Sequence, residues 1–350
     1  MNIHYNMAGV FTVKKFKKGN LKQELRFKNL ITDHGLNQLG RRPVLTGQYS
    51  AGTHLGTLPR FMFSRLALGD GTNPPLPTDL HLQNERLVLN ANPTTDIVWG
   101  NDQLYPLKPA GERGHYIWTR SEWRLATGTG PYSFTEVGVG PTDEFSVNAL
   151  WSRQLFKDEN GNPITVEKEL DEELFITYEL RVFAPVETVV SGGPVTIAGT
   201  QYNTHWYPVW NTWGFDMTFS QLQQSTANPA PANPVPMYYS LHNLTQPLYV
   251  PVSPTLTART AATSRAWSAY VDGSFERSVT MVWNRQSFAG QDIRAIGVPG
   301  IFSVASPALP QWIMGVTPDD DGPDAFGKSG DEQLTMTFKH SWNRVSETED

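Results

Sequence analysis

The stretch ELFITYELRVF, residues 173–183, constrains this chain more than any other: Leu174, Ile176, Tyr178, Leu180 and Val182 alternate with Phe175, Thr177, Glu179 and Arg181. Period two of this kind predicts a β-strand with one buried face. The pattern returns in EQLTMTFKHSW, residues 332–342, where Leu334, Met336 and Phe338 alternate with Thr335, Thr337 and Lys339. Leu174 and Leu334 stand 160 positions apart, and the same spacing links Trp123 to Trp283, Pro163 to Pro323, Asp171-Glu172 to Asp331-Glu332 and Thr177 to Thr337. EVGV (136–139) matches AIGV (295–298) one position closer, and Trp151 matches Trp312 one position farther. A run of matches in constant order predicts a tandem duplication, and internal repeats have to be settled before any motif is read.

The expected fold is therefore mainly β: two tandem β-sandwich domains related by duplication, with little helix. The first spans residues 1–185 and opens with a hairpin; the second spans 186–350, and the two join where Pro and Gly cluster in APVETVVSGGP, 184–194. Gly (29), Pro (26) and an aromatic set of 11 Trp, 12 Tyr and 17 Phe favour many turns and half-buried pleated surfaces. ANPAPANPVP (227–236) reads as an extended proline-rich spacer inside the second unit. In the first unit, VKKFKKGNLKQELRF reads as a hairpin turning at Gly19-Asn20. ITDHGLNQLG reads as a short helix capped by Thr32 or Asp33 and ended by Gly40.

One segment carries a complete catalytic-type motif. GPDAFGKS, 322–329, places Gly322, Gly327, Lys328 and Ser329 as G-x-x-x-x-G-K-[ST] requires of a phosphate-binding loop. Such a loop must run into a helix whose N-terminal amides hold the anion, whereas a period-two strand follows Ser329. Asp319, Asp320 and Asp321 precede the segment and repel phosphate, and its repeat counterpart, NPITVEKE (162–169), lacks the glycines. The segment is read as a turn leading into the last strand.

Other chemistry is weaker. KDENGNP (157–163) and PDDDGPD (318–324) hold oxygen ligands but no full calcium loop, so hairpin turn is the preferred reading over cation site. The eight histidines (4, 34, 54, 81, 115, 205, 242, 340) show no metal-ligand spacing, and His340 lies on the inward phase of its strand. No G-x-S-x-G elbow occurs, and Asp171, Glu172 and Glu173 are read as solvated residues at the start of a strand. HWYPVWNTWGF (205–215), with Trp206, Trp210 and Trp213, is either a sugar-stacking platform or aromatic core. Lys14, Lys15, Lys17, Lys18, Lys22, Arg26 and Lys28 make the hairpin basic, either to dock an acidic partner or to protect a strand edge. No catalytic, cofactor-binding or metal residue is assigned, no cofactor is expected, and the chain is not read as an enzyme.

A formal net charge of −6 argues against a general nucleic-acid binder. The absence of Cys fits assembly in a reducing cytoplasm. No signal peptide and no apolar run long enough to insert in a membrane are seen.

Four phrases together, FKNLITDHGLNQLG, LALGDGTNPPLPTDLHLQNE, SFTEVGVG and LWSRQLFKDENGNPITVEKELDEELFITYEL, resemble structural proteins of tailed bacteriophages, clearest over residues 8–183. The resemblance implies a virion subunit made in the host cytoplasm. Its expected place is the tail, as a neck, collar, baseplate or fibre-attachment component that assembles with itself and with other virion proteins. The alternative it leaves open is a module that binds a host-surface glycan or protein.

Overall fold

The computed structural model describes residues 2–41, 65–91, 97–102, 116–141, 149–183, 190–197, 200–208, 236–238, 259–261, 263–285, 291–293, 295–298, 312–317, 326–328 and 331–345. The proline-rich spacer and most of the tryptophan-rich run lie outside these. The chain is mainly β. Its first strands are β1 (Asn2–Lys17), β2 (Asn20–Ile31), β3 (Arg65–Gly69), β4 (Glu85–Asn90), β5 (Ile97–Asp102), β6 (Tyr116–Leu125), β7 (Tyr132–Phe134), β8 (Glu136–Gly140), β9 (Ser152–Leu155), β10 (Val166–Lys168) and β11 (Glu172–Phe183). A single described helix, α1 (Asp33–Arg41), follows β2. Then come β12 (Val190–Ile197), β13 (Thr200–Pro208), β14 (Pro236–Tyr238), β15 (Arg259–Ala261), β16 (Ser264–Trp267), β17 (Glu276–Trp283), β18 (Gln291–Ile293), β19 (Ala295–Val298), β20 (Trp312–Thr317), β21 (Phe326–Lys328) and β22 (Leu334–Arg344).

The strands form a twelve-stranded sheet, a six-stranded sheet and two strand pairs. In the large sheet β1 is the hub. One edge pairs with β11 over Asn6–Lys17, and the other pairs with β2 over Gly9–Lys17. The first six residues of that second edge, Asn2–Met7, run parallel to Lys339–Arg344 of β22. Strands from both halves of the chain thus share one sheet.

The pairing order has a regularity of its own. Within the first eleven strands, β1–β2, β2–β9, β3–β4, β3–β8, β5–β6, β6–β11, β7–β10 and β8–β9 are paired. The same ordinal pairs recur in the second eleven: β12–β13, β13–β20, β14–β15, β14–β19, β16–β17, β17–β22, β18–β21 and β19–β20. The remaining pair, β1–β11, has no counterpart among the described residues, because β22 takes β1 in place of β12.

Period two does its expected work in β11. Leu174, Ile176, Tyr178 and Leu180 are buried and face Phe11, Val13 and Trp123 in a core that continues through Trp151 to Trp283, Phe338 and Trp342. Burying one such side chain is worth about 1.5–3 kcal/mol, so the alternation fixes which face turns inward. Tyr178 lies at the centre; its hydroxyl accepts from Trp151 Nε1 at 3.0 Å, and burial pushes its pKa up to about 12. Gly9 leaves room for this group, since a Cβ there would meet Tyr178 OH at 2.6 Å and Asn29 Oδ1 at 2.0 Å.

The helix is capped as the sequence suggests. Thr32 Oγ1 accepts from Gly35 N at 3.0 Å and donates to Leu150 O at 2.8 Å, which fixes Thr32 as the cap. The hairpin turn is displaced by one residue. Lys17 pairs with Asn20, so the two turn residues are Lys18 and Gly19, with φ of 52° and 77°. Positive φ at both positions is what a tight turn needs to match the strand twist, and Asn20 instead caps the turn by donating to Lys18 O at 3.3 Å.

The end of the described chain is pinned to α1. Trp342 Nε1 donates to Leu36 O at 2.9 Å, Tyr270 OH donates to Asn37 Oδ1 at 2.7 Å, and Arg344 bonds Ile31 O at 2.6 Å and pairs with Asp33. No helix among the described residues is long and apolar enough to cross a membrane.

Candidate functional site

Alternation places a second set of side chains on the outer face of β2, β1, β11 and β6, where they line a groove of about 650 Å³. Strand register sorts them into rows. One row runs Lys28, Val10, Glu179, Arg120; the next runs Arg26, Thr12, Thr177, Glu122; a third runs Glu24, Lys14, Phe175, Arg124. Three of the four lining carboxylates are ion-paired across strands: Glu24 with Lys14 at 3.2 Å, Glu179 with Arg120 at 2.5 Å and Glu173 with Arg124 at 2.6 Å. Glu122 Oε2 accepts from Thr177 Oγ1 at 3.5 Å. Phe16 and Phe175 meet edge to face at 5.6 Å, and the Arg124 guanidinium sits 5.4 Å from the Phe175 ring centre. Carboxylates tied to guanidinium and ammonium groups suit contact with a polar surface better than proton transfer.

A second cluster is internal, and sequence reasoning missed it. Glu136 is fully buried in β8 and accepts five hydrogen bonds: from Gly71 N (3.1 Å), Gln83 N (3.1 Å), Asn84 N (2.8 Å) and Arg153 Nε (2.9 Å) and Nη2 (2.8 Å). Arg153, on β9, also donates to Asp79 Oδ2 at 2.5 Å and Asn73 O at 3.0 Å. The cluster clamps residues 70–84 onto β8 and β9. The signal was present: an acid inside a valine–glycine strand and an arginine inside WSRQLF are rarely buried unless paired. All four phrases quoted above meet here, because Thr32 N donates to Trp151 O (2.9 Å), Asp33 N to Pro77 O (2.7 Å) and Leu150 N to Leu80 O (2.7 Å).

The other sequence candidates fall as follows. Gly327 and Lys328 lie in β21, with Lys328 opposite Gln291, so a strand occupies the place where a phosphate loop would open a helix. Lys328 holds the ladder position that Lys168 holds opposite Tyr132, and Lys168 is buried, its ammonium donating to Thr129 O at 2.6 Å and Glu169 O at 3.1 Å. Burial lowers the Lys168 pKa. Gly322 and Ser329 lie outside the described residues. KDENGNP is a turn: Asp158 Oδ1 accepts from Asn160 N (2.9 Å) and Asn162 N (2.8 Å), and these bonds hold its carboxyl below the usual range. PDDDGPD lies outside the described residues.

Glu172 is buried rather than solvated. It accepts from Glu169 N at 2.9 Å and lies 3.8 Å from Lys15, because β11 starts under the hairpin. Asp171 and Lys17 pair at 3.0 Å, which lowers the acid and raises the base. Lys14, Lys15 and Lys17 therefore sit on an interior strand; Lys22, Arg26 and Lys28 are the ones on β2. His340 is buried as its phase required, and burial lowers its pKa to about 3. His4 meets Ser341 Oγ at 2.9 Å, and His34 meets Gln38 Nε2 at 2.7 Å. Trp206 is in β13; Trp210 and Trp213 lie outside the described residues. Among the described residues no three His, Asp or Glu side chains are grouped as metal ligands. Comparison of the chain with protein-family models, curated proteins and solved structures gave no match.

Proposed function

We propose that the chain is a structural subunit of a tailed bacteriophage particle, placed in the tail as a neck, collar, baseplate or fibre-attachment component, and that it works by assembly with itself and neighbouring virion proteins. The observation that carries this reading is the convergence of the four resembling phrases on one interlocked unit around Glu136 and Arg153. Phrases shared for a common scaffold would meet in this way, since each supplies a different wall of the same clamp. The finer architecture belongs to the same proposal: two tandem β units limited at 1–185 and 186–350 and related by duplication. It is supported by the recurrence of eight pairings in ordinal order and by Trp123 and Trp283, both buried and both on the strand preceding their unit's small pair. Trp123 faces Ile176 while Trp283 faces Leu334, two positions from the strict repeat, an even slip that keeps the same face inward.

Binding energy in such a subunit comes from buried surface, and closed cyclic symmetry is the general expectation for identical copies. The outer groove favours a second reading, a receptor-binding module for a host-surface glycan or protein, because its rows present hydroxyl, charged and aromatic groups to solvent. Cryo-electron microscopy of the purified particle that carries the chain tests both. Density for this fold at the neck, collar or baseplate is the expected result; density at a distal fibre tip favours the second reading. A place in the capsid lattice, or absence from the particle, refutes the tail assignment.

A further inference from the structure

Strand β2 has one edge on β1 along Gly9–Lys17, while its other edge is paired only at Leu30 and Ile31, with Arg153 and Ser152 of β9. Gln154 Nε2 also covers Lys28 O at 3.3 Å. Between Asn20 and Phe27 no strand lies along this edge among the described residues; the ladder to β1 slips between Lys15 and Phe16, opposite Leu21–Gln23, so Lys22 sits at a bulge and the regular main-chain donors and acceptors open to an added strand are those of Gln23–Phe27. The ordinally matching strand, β13, is covered on that side over Asn203–Pro208 by β20. Counted from the two hairpin turns, that span matches Gln23–Lys28 of β2.

The side chains along the edge select the occupant. Lys22 and Arg26 are exposed, and Glu24 between them is neutralised by Lys14 at 3.2 Å. Two copies paired antiparallel about Glu24 would oppose Glu24 to Glu24 and Lys22 to Arg26, so like charges disfavour self-pairing in that register, whereas an acidic strand meets Lys22 and Arg26 without such a clash. On the other phase Leu25 and Phe27 are buried, which asks for apolar residues beside them. We propose that the Asn20–Phe27 edge is a strand-addition site for an extended acidic segment of another protein, with carboxylates four positions apart opposite Lys22 and Arg26 and apolar residues flanking the position between them. A strand bound there extends each row of the outer groove by one side chain, since Glu24 and Arg26 already line it. The inference names a partner surface for the proposed subunit but does not depend on where in a particle the subunit sits.

The test uses the full chain and a fluorescein-labelled heptapeptide, Thr-Glu-Val-Thr-Val-Glu-Thr, followed by anisotropy at low salt. Saturable binding is expected, weakened at least tenfold by replacing both Glu with Lys, by scrambling the order, or by Lys22→Glu with Arg26→Glu in the protein. Both protein positions are exposed, and circular dichroism checks that the variant folds. Hydrogen exchange on the complex should show new protection confined to residues 20–28. Binding no tighter than that of the scrambled peptide, binding untouched by the double variant, or protection elsewhere would each overturn the proposal, and none of these results bears on the location of the chain in a virion.

Discussion

Replacing Glu136 by Gln removes one charge from a fully enclosed ion pair while keeping the side-chain shape. The amide oxygen can still accept from Gly71 N and Asn84 N, now at 3.1 and 2.8 Å. The new NH2 group, however, faces Arg153 Nε, Arg153 Nη2 and Gln83 N, three donors that have only Glu136 Oε2 as acceptor in this direction. Arg153 keeps its bonds to Asp79 and Asn73 but loses the fully buried one of its two counter-charges, its side chain being 4% exposed. Breaking one side of a buried pair costs about 3–5 kcal/mol. At about 2–4 °C per kcal/mol, the melting temperature should fall by roughly 6–20 °C. A thermal melt measures that shift, and urea unfolding followed by tryptophan fluorescence measures the free-energy loss, with Arg153→Met and the double variant completing a cycle. Coupling of at least about 1.5 kcal/mol is expected, because the double variant leaves no unpaired charge from this pair. Single losses below about 1 kcal/mol, or a double variant equal to the sum of the singles, would refute the clamp.

Three further outcomes follow from other parts of the fold. His340 is neutral when buried, with a pKa near 3, whereas the unfolded chain takes up a proton near pH 6.5, so its contribution is complete above that pH and is lost as pH falls toward 3; urea midpoints between pH 7.5 and 4 should fall more steeply for the parent than for His340→Leu, and equal slopes would contradict the assignment. Gly9→Ala drives a methyl against Asn29 and Tyr178 and should cost about 3 kcal/mol in urea unfolding, whereas a loss below about 0.5 kcal/mol would mean that the strands part freely there. Lys18→Asn places a residue tolerant of φ 52° in the hairpin turn and should raise stability by about 0.5 kcal/mol in the same assay, with destabilisation arguing against the Lys18–Gly19 turn.

Local chemistry was legible wherever one residue type has one dominant use. Period two located the buried faces of β11 and β22, and the Thr32-Asp33 pair marked the start of α1, the structure choosing Thr32 as the cap. The hairpin was found, yet its turn was misplaced by one residue, because Gly-Asn is a common turn pair and nothing local says that Lys18 will accept positive φ. The Glu136 clamp was out of reach for a different reason. Its partners come from β8, β9 and the 70–84 loop, and only the ladder brings them together. Glu172 was misread because it is buried where β11 pairs with β1, and the ladder sets Lys15, from far earlier in the sequence, beside it. The phosphate-loop segment shows the converse: a pattern of residue types complete in sequence means nothing once its Gly327–Lys328 pair lies in a strand.

The parallel pairing of β1 with β22 carries a consequence for how the chain is made. His4 and Ser341, bonded in the finished fold, are 337 positions apart. At about 5–20 residues per second, roughly 20–70 s separate their synthesis. Throughout that interval β11 and β2 can close on the later part of β1, while Asn2–Met7 keeps a bare edge facing the nascent chain and its neighbours. A segment made well before β22 is thus among the last to be sealed. Chaperone demand during production should therefore track the delay to β22, and slowing translation over the second half should raise aggregation without changing the stability of the finished protein.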